Sequence, residues 1–447
     1  MALLDGLGVW AFFNLAYWQR FGFVHQTWAM TWEVYSFYLV ATIVLYVFNL
    51  NRFEQNLKFG QFIWRFSSAS LLIIGMNLAS YFLLGKQGDI VGRGVLFPAF
   101  IFFLLWSAFW RVSLNGLLNR RNQQQSWLFV LESEHFLAIE PDLKQFHRQG
   151  EVEVYDARQQ QKWTYDPQEG MIDQSQVGRL GELLGEKRYT GLILRNAQTL
   201  NSEDWQHIVS YRIKGNRVFD LADFFERFLN RLPVYHISKD WFALTHGFTL
   251  LHNPVGFKVK RLVDIFLSLI LLIGTSPIML LTALFVKLDS QGPVFYKQKR
   301  NGWQGREFFI IKFRSMRTDA ENGKAQWAQK NDSRVTRVGR FIRLTRIDEL
   351  PQTWNVLTGE MSFIGPRPER PEFNGELEEV IPFYDFRHLV KPGITGWAQV
   401  NYPYGASLED AEKKLQYDLY YIKNYSLFID LEIVFKTIGI VLFGKGR

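Results

Sequence analysis

The sequence predicts a membrane protein made of helical spans and two α/β units, and three observations carry that expectation. Long uncharged apolar runs crowd the N-terminus and return once after the midpoint. Between them, short apolar runs alternate with polar, helix-like stretches, and the last third combines both patterns with dense basic motifs. At 447 residues the chain has room for about three folding units.

Composition narrows the function classes. With 48% hydrophobic and 21% charged residues, the chain is neither a disordered tail nor a low-complexity scaffold. Aromatics at 16% suit membrane-interface belts as well as cores. The absence of cysteine excludes disulfides, thiolate metal sites and thiol nucleophiles. A net charge of +8 is too mild to mark a nucleic-acid binder and fits anionic lipids or phosphorylated substrates.

Residues 1–120 read as a transmembrane domain of about four spans. Val34 to Asn51, Phe66 to Gly85 and Gly94 to Trp110 each approach the length that crosses about 30 Å of hydrocarbon. Leu3 to Val24 is a fourth candidate, interrupted by Gln19 and Arg20. Arg52, Lys58 and Arg65 on one connection, and Arg111, Arg120 and Arg121 at the exit, place those sides in the cytoplasm by the positive-inside rule.

Residues 121–253 read as a Rossmann-like α/β domain, with strands at Trp127 to Leu131, Val152 to Tyr155, Gly191 to Leu194 and Arg217 to Asp220. Its first strand runs into Glu132-Ser133-Glu134-His135 without a Gly-rich turn for a phosphate, so the reading is a regulatory or structural domain.

The third unit, 254–447, opens on Lys258-Val259-Lys260-Arg261 and then Ile265 to Val286, about 33 Å if fully helical. Ser276-Pro277 interrupts this segment, and Lys287, Lys297, Lys299 and Arg300 follow it. Charge on both flanks leaves two readings: a Pro-kinked span, or a helix broken at Ser276 and Pro277 that enters and leaves by one face, with Ser276 satisfying freed carbonyls. Lys312, Arg314 and Arg317 punctuate the strands that follow.

Arg334, Arg337, Arg340, Arg343 and Arg346 recur every third residue, so on a helix they spread around its circumference and divide between lipid headgroups and a ligand. In Asp348-Glu349-Leu350-Pro351-Gln352, Pro351 belongs in the first turn of a helix. Asp348 and Glu349 then sit at its N-terminus, where the dipole lowers a carboxylate's pKa. An ionised carboxylate among arginines can hold Mg²⁺ or attack phosphorus, although acidic pairs at helix starts commonly only cap. Gly365-Pro366-Arg367-Pro368-Glu369 is a rigid turn carrying one guanidinium suited to phosphate. The eight histidines show no metal-ligand spacing. The apolar run Leu427 to Phe443, carrying Asp430, Glu432 and Lys436, suits an interfacial helix or buried core.

Taken together, KRLVD at Lys260 to Asp264, Ser276-Pro277, KFRSM at Lys312 to Met316, DELPQ at Asp348 to Gln352, GPRPE at Gly365 to Glu369 and PGITGWAQVN at Pro392 to Asn401 resemble the bacterial polyprenol-phosphate sugar-1-phosphate transferases, the monotopic phosphoglycosyl transferases. The resemblance implies a catalytic α/β domain with a re-entrant membrane helix over 261–288, broken at Ser276 and Pro277. It implies transfer of a sugar 1-phosphate from a UDP-sugar to undecaprenyl phosphate with release of UMP, the first membrane step in exopolysaccharide or O-antigen repeat-unit synthesis.

By the same resemblance Asp348 is the nucleophile and a Mg²⁺ ligand, Glu349 its acid–base partner or metal neighbour, and Arg343, Arg367, Lys312 and Arg314 hold phosphates or substrate. A multi-pass protein of the bacterial inner membrane is implied, in contact with membrane lipids, its catalytic domain cytoplasmic, with a homodimer plausible by analogy and no nucleic-acid partner. The large subgroup suggests glucose or galactose as the sugar, while Tyr402-Pro403-Tyr404-Gly405 departs from the Gly-Arg common at that point. The alternative is a membrane-bound scaffold or nucleotide-sensing regulator of polysaccharide assembly, which has no need of Asp348 beside Glu349 amid arginines.

Overall fold

A computed structural model describes residues 2–22, 32–48, 50, 59–84, 93–123, 125–144, 150–166, 170–177, 179–195, 200–237, 239–317, 334–403, 405 and 407–443. Arg52, Lys58 and Tyr404, named above, lie outside the described residues. The chain divides into two compact units, one of Met1–Leu128, Ser133–Tyr155 and Gln160–Thr190, the other of Phe129–Glu132, Asp156–Gln159 and Gly191–Arg447.

Four helices open the first unit: α1 (Ala2–Phe21), α2 (Trp32–Val47), α3 (Phe59–Leu84) and α4 (Arg93–Gln123). The Leu3 to Val24 segment is therefore helical over most of its length and packs on α4. Asp5 and Arg111, both almost fully buried, form an ion pair at 2.7 Å, and Ser107 and the Trp110 indole also bond to the Asp5 carboxylate. Among the described residues, two helices are long and apolar enough to cross a membrane, one over Phe97–Leu114 within α4 and one farther along the chain.

β1 (Ser126–Val130) leads directly into α5 (Ser133–Leu143), with no glycine between. Then come β2 (Glu151–Asp156), β3 (Gln161–Asp166), β4 (Gly170–Val177), α6 (Leu180–Glu186), β5 (Gly191–Leu194), α7 (Ser202–Ile213) and β6 (Val218–Asp220). The six strands form one sheet in the order β4-β3-β2-β1-β5-β6. β5 and β6 run parallel, whereas β3 and β4 form an antiparallel hairpin that the sequence reading did not place. On β3 only Trp163 and Tyr165 are apolar, and of the strand only Tyr165 is buried, so it lacks the short apolar run that marked the other strands.

Short helices α8 (Leu221–Phe224), α9 (Lys239–Leu244) and α10 (Thr249–His252) follow. Ala222, Leu232, Val234, Ile237 and Leu250, which the sequence reading assigns to the central domain, share a hydrophobic core with Ile364, Leu377, Tyr384, Leu415 and Leu419. The Lys423 ammonium and the Asn424 amide both bond to Glu226 across the same seam.

α11 (Pro254–Asp289) is a single 36-residue helix. Pro277 lies inside it, and the Ser276 hydroxyl donates to the Ile273 carbonyl at 2.7 Å, the carbonyl that Pro277 has no N–H to meet. The expected break at Ser276 and Pro277 is thus a position within a continuous helical course. Phe266, Ile270, Ile273, Leu280 and Leu284 are exposed along its middle. Both ends are tied to the same unit. Arg261 donates to the Val356 and Leu357 carbonyls and Asp264 accepts from Ser362 and Phe363. At the far end Val286 packs against Phe313 and Ile342.

The rest of this unit comprises the antiparallel hairpin β7 (Phe295–Asn301) and β8 (Glu307–Phe313), α12 (Arg337–Leu344), a 3-10 turn at Ile347–Glu349, α13 (Gln352–Thr358) and β9 (Ser362–Ile364). α14 (Pro371–Val380), β10 (Gly393–Thr395), α15 (Trp397–Asn401), α16 (Leu408–Lys423) and α17 (Leu427–Phe443) complete it. β9 and β10 pair in parallel, and a Cβ on Gly365, Gly393 or Gly396 would lie 2.1–2.3 Å from backbone atoms of the facing strand or loop. The glycines of GPRPE and PGITG therefore let two backbones touch. On α17 the charges point inward, Asp430 to Lys260 at 2.7 Å and Lys436 over the Trp397 ring, while Leu427, Phe428 and Leu431 are exposed.

Candidate active site

Pro351 adopts helical angles at the start of α13, as its missing N–H and fixed φ require. The 3-10 turn before it presents Asp348 and Glu349. Arg346, immediately ahead, sits in the left-handed region with φ near 61°, an uncommon conformation for a residue with a side chain. That reversal is what turns the chain from α12 into the acidic turn.

Glu349 is a hub. Its Oε1 accepts from the Lys312 ammonium and the Arg367 guanidinium, each at 3.1 Å. Burial alone would raise its pKa, but Lys312, Arg367 and Arg346 together outweigh that and hold the carboxyl well below the usual range. Burial likewise pushes the Lys312 ammonium down against the pull of Glu349.

Asp348 behaves in the opposite way. It is only 8% exposed, and its Oδ1 makes no hydrogen bond. Burial and the neighbouring Glu349 charge push its pKa up to about 6, with Lys312, Arg346 and Arg343 pulling against them. This corrects the expectation of a lowered value: loss of water around the carboxylate exceeds the benefit of the helix start. Asp348 still remains mostly ionised at neutral pH.

Of the phosphate-binding candidates, Lys312 and Arg367 bond to Glu349, and Arg343 lies close enough for its charge to act on Asp348. Arg314 does neither. It is buried at the end of α11, where it donates to the carbonyls of Val286 and Ser290 and to the Ser290 hydroxyl, so its charge meets a helix C-terminus. Arg337 and Arg340 are exposed while Arg343 and Arg346 are half-buried beside Asp348, which divides the arginine series between outside and site.

Several supporting residues escape a motif reading. Asn355 is 1% exposed and pins α13 to β8, accepting from Ile311 N–H and donating to the Phe309 carbonyl; this holds Glu349 and Lys312 in register. Arg387, paired with buried Asp418 at 3.0 Å, donates to the Arg367 carbonyl at 2.9 Å. Arg300 donates to the Pro368 carbonyl, and the Asn301 N–H to the Glu369 carbonyl. The GPRPE turn is thus gripped from both sides, with the Arg367 side chain left to reach Glu349. No spacing links residues 300, 367 and 387, so only long-range contact reveals the set.

Among the described residues no group of three or more carboxylates or imidazoles forms a metal cage. One carboxylate plus substrate oxygens is, however, a common way to hold Mg²⁺. The unpartnered Asp348 Oδ1 fits that arrangement.

Fold and site together define a membrane-associated α/β protein with an acidic pair inside a basic pocket. The chain belongs to the bacterial sugar transferase family, whose sequence profile matches residues 255–444. The UDP-N-acetylgalactosamine-undecaprenyl-phosphate N-acetylgalactosaminephosphotransferase of Aeromonas hydrophila is 48% identical over 243 residues, 51% of this chain and 57% of that protein. The UDP-glucose:undecaprenyl-phosphate glucose-1-phosphate transferase of Xanthomonas campestris pv. campestris is 50% identical over 181 residues, 40% of this chain and 37% of its own length. An exopolysaccharide production protein of Rhizobium leguminosarum bv. phaseoli is 44% identical over 187 residues, 40% of this chain and 93% of that protein. The chain therefore spans about a third to somewhat over half of the longer relatives and nearly all of the short one.

Proposed function

We propose that this protein transfers a sugar 1-phosphate from a UDP-sugar to undecaprenyl phosphate through a covalent aspartyl phosphate on Asp348. In the first step an Asp348 oxygen attacks the phosphorus that bears the sugar. The bond from that phosphorus to the bridging oxygen breaks, and UMP leaves with that oxygen. In the second step a phosphate oxygen of undecaprenyl phosphate attacks the same phosphorus, the bond to Asp348 breaks, and undecaprenyl-diphosphate-sugar is formed.

The observation that carries this reading is the division of labour between adjacent carboxylates. Glu349 gathers Lys312 and Arg367, while Asp348 Oδ1 is buried, ionised at neutral pH and without a hydrogen bond. A nucleophile needs a free lone pair, and cations beside it offset the charge of two anionic substrates. Glu349, held so far below neutrality, serves as the anchor of those cations rather than as a proton acceptor. Mg²⁺ held by Asp348 and substrate phosphate oxygens would supply Lewis-acid stabilisation of the transferring phosphoryl group.

Attachment of both ends of α11 to one unit favours a membrane helix that enters and leaves on the same side, keeping the site at the cytoplasmic face where a soluble nucleotide and a lipid phosphate both arrive. Since one relative is named for N-acetylgalactosamine and another for glucose, the donor class is a UDP-hexose or UDP-N-acetylhexosamine. UMP release by the purified protein with undecaprenyl phosphate, Mg²⁺ and a panel of UDP-sugars tests the reaction. Mass spectrometry of protein given donor alone tests the adduct, which Asp348→Asn must abolish.

A further inference from the structure

The helical course from Ile347 to Thr358 is continuous: a 3-10 turn, helical angles at Leu350 and Pro351, then α13. Residues four apart share a face of such a course, so Gln352 lies one turn beyond Asp348 on the same side. Gln352 is only 2% exposed, and its Nε2 has no hydrogen-bond partner. Asn355, the other buried amide on this helix, is fully engaged, accepting from Ile311 and donating to Phe309 and Glu360. A buried amide donor without a partner is costly, and a buried acceptor that is also unmet, Asp348 Oδ1, lies one turn earlier on the same helical course. An N–H donor cannot ligate a cation. It suits an anionic oxygen arriving with the substrate.

We infer that Gln352 is a further catalytic residue, whose Nε2–H donates to a non-bridging oxygen of the phosphoryl group during its transfer to and from Asp348. This rests on the aspartyl-phosphate reading. Because that oxygen gains charge in both steps, removing the donor slows donor cleavage and acceptor transfer alike.

The test uses the full chain in detergent with undecaprenyl phosphate and the UDP-sugar that yields UMP, comparing Gln352→Met, Gln352→Glu and Asp348→Asn. Gln352→Met, close in shape but without the donor, is expected to lower kcat about 100-fold while the KM for undecaprenyl phosphate stays within about twofold. The rate of UMP release with donor alone should fall by the same factor. Gln352→Glu places a carboxylate against the phosphoryl oxygens and should be weaker still. Its activity relative to the parent should recover as pH falls from about 8 to about 5.5, since the protonated acid regains an O–H donor.

A purely structural glutamine would not produce that acid rescue. If Gln352→Met does not fold, Gln352→Glu decides. Both variants within about threefold of the parent, with Asp348→Asn inactive, overturns the role of Gln352 and leaves the nucleophile standing. An active Asp348→Asn protein overturns the aspartyl-phosphate reading itself.

Discussion

Two buried carboxylates in this chain have contrasting surroundings. Asp5, in the N-terminal helices, is met on both oxygens: Arg111 pairs with it at 2.7 Å, and Ser107 and Trp110 add further donors. Asp348 is buried almost as deeply, yet its Oδ1 is bare while its neighbour Glu349 takes the nearby cations. Removing a carboxylate from water costs several kcal/mol, about what a good ion pair returns. The first site spends that return on holding helices together; the second leaves it for an arriving ligand.

The contrast can be broken most directly at Asp348. Asp348→Asn should reduce UMP release by about 10⁴-fold or more without shifting the melting temperature in detergent downward, because it removes a group that makes no hydrogen bond through Oδ1. A large stability loss instead would put Asp348 in the same category as Asp5. The reciprocal change, Arg111→Met, strands the Asp5 charge and should cost about 3–5 kcal/mol, read as early unfolding and low yield. The turnover of the folded fraction should be unchanged, and adding Asp5→Leu should restore much of the stability.

Glu349→Gln frees Lys312 and Arg367 from their shared acceptor and should lower kcat about 100-fold, with the adduct still detectable by mass spectrometry. The pH dependence sharpens the comparison further. Since burial raises Asp348 to about 6, it is protonated and unreactive below that value, so kcat/KM for the UDP-sugar should fall about tenfold per pH unit on the acid side. A profile flat down to about pH 4 would place the reactive carboxylate elsewhere. The smallest effect is expected from Arg387→Lys, which keeps the charge beside Asp418 but loosens the hold on the Arg367 carbonyl. A rise of about tenfold in the KM for donor, absent when Arg367 is already alanine, would identify Arg387 as a positioning residue.

Much of the architecture was legible along the chain because it depends on local pattern. Apolar runs long enough for hydrocarbon marked α4 and α11, Pro351 marked the start of α13, and alternation marked β1, β2 and β5. The acidic pair and the arginines that flank it could be singled out because charge, turn chemistry and helix starts are written in neighbouring residues. The hairpin of β3 and β4 was not legible, since β3 is short and carries only Trp163 and Tyr165 among polar residues, and neither was the shared core of residues 222–250 with the C-terminal helices, which joins segments more than a hundred residues apart.

The sequence by itself determined which side chains were available: two carboxylates, a set of cations, and glycines where backbones meet. Only the tertiary structure decided their assignments. It buried Asp348 enough to reverse the expected pKa direction, turned Arg314 onto the end of α11, and brought Arg387 to the Arg367 carbonyl. The physical reason is that desolvation and long-range hydrogen bonding depend on what surrounds a residue in space, which its neighbours in sequence do not specify.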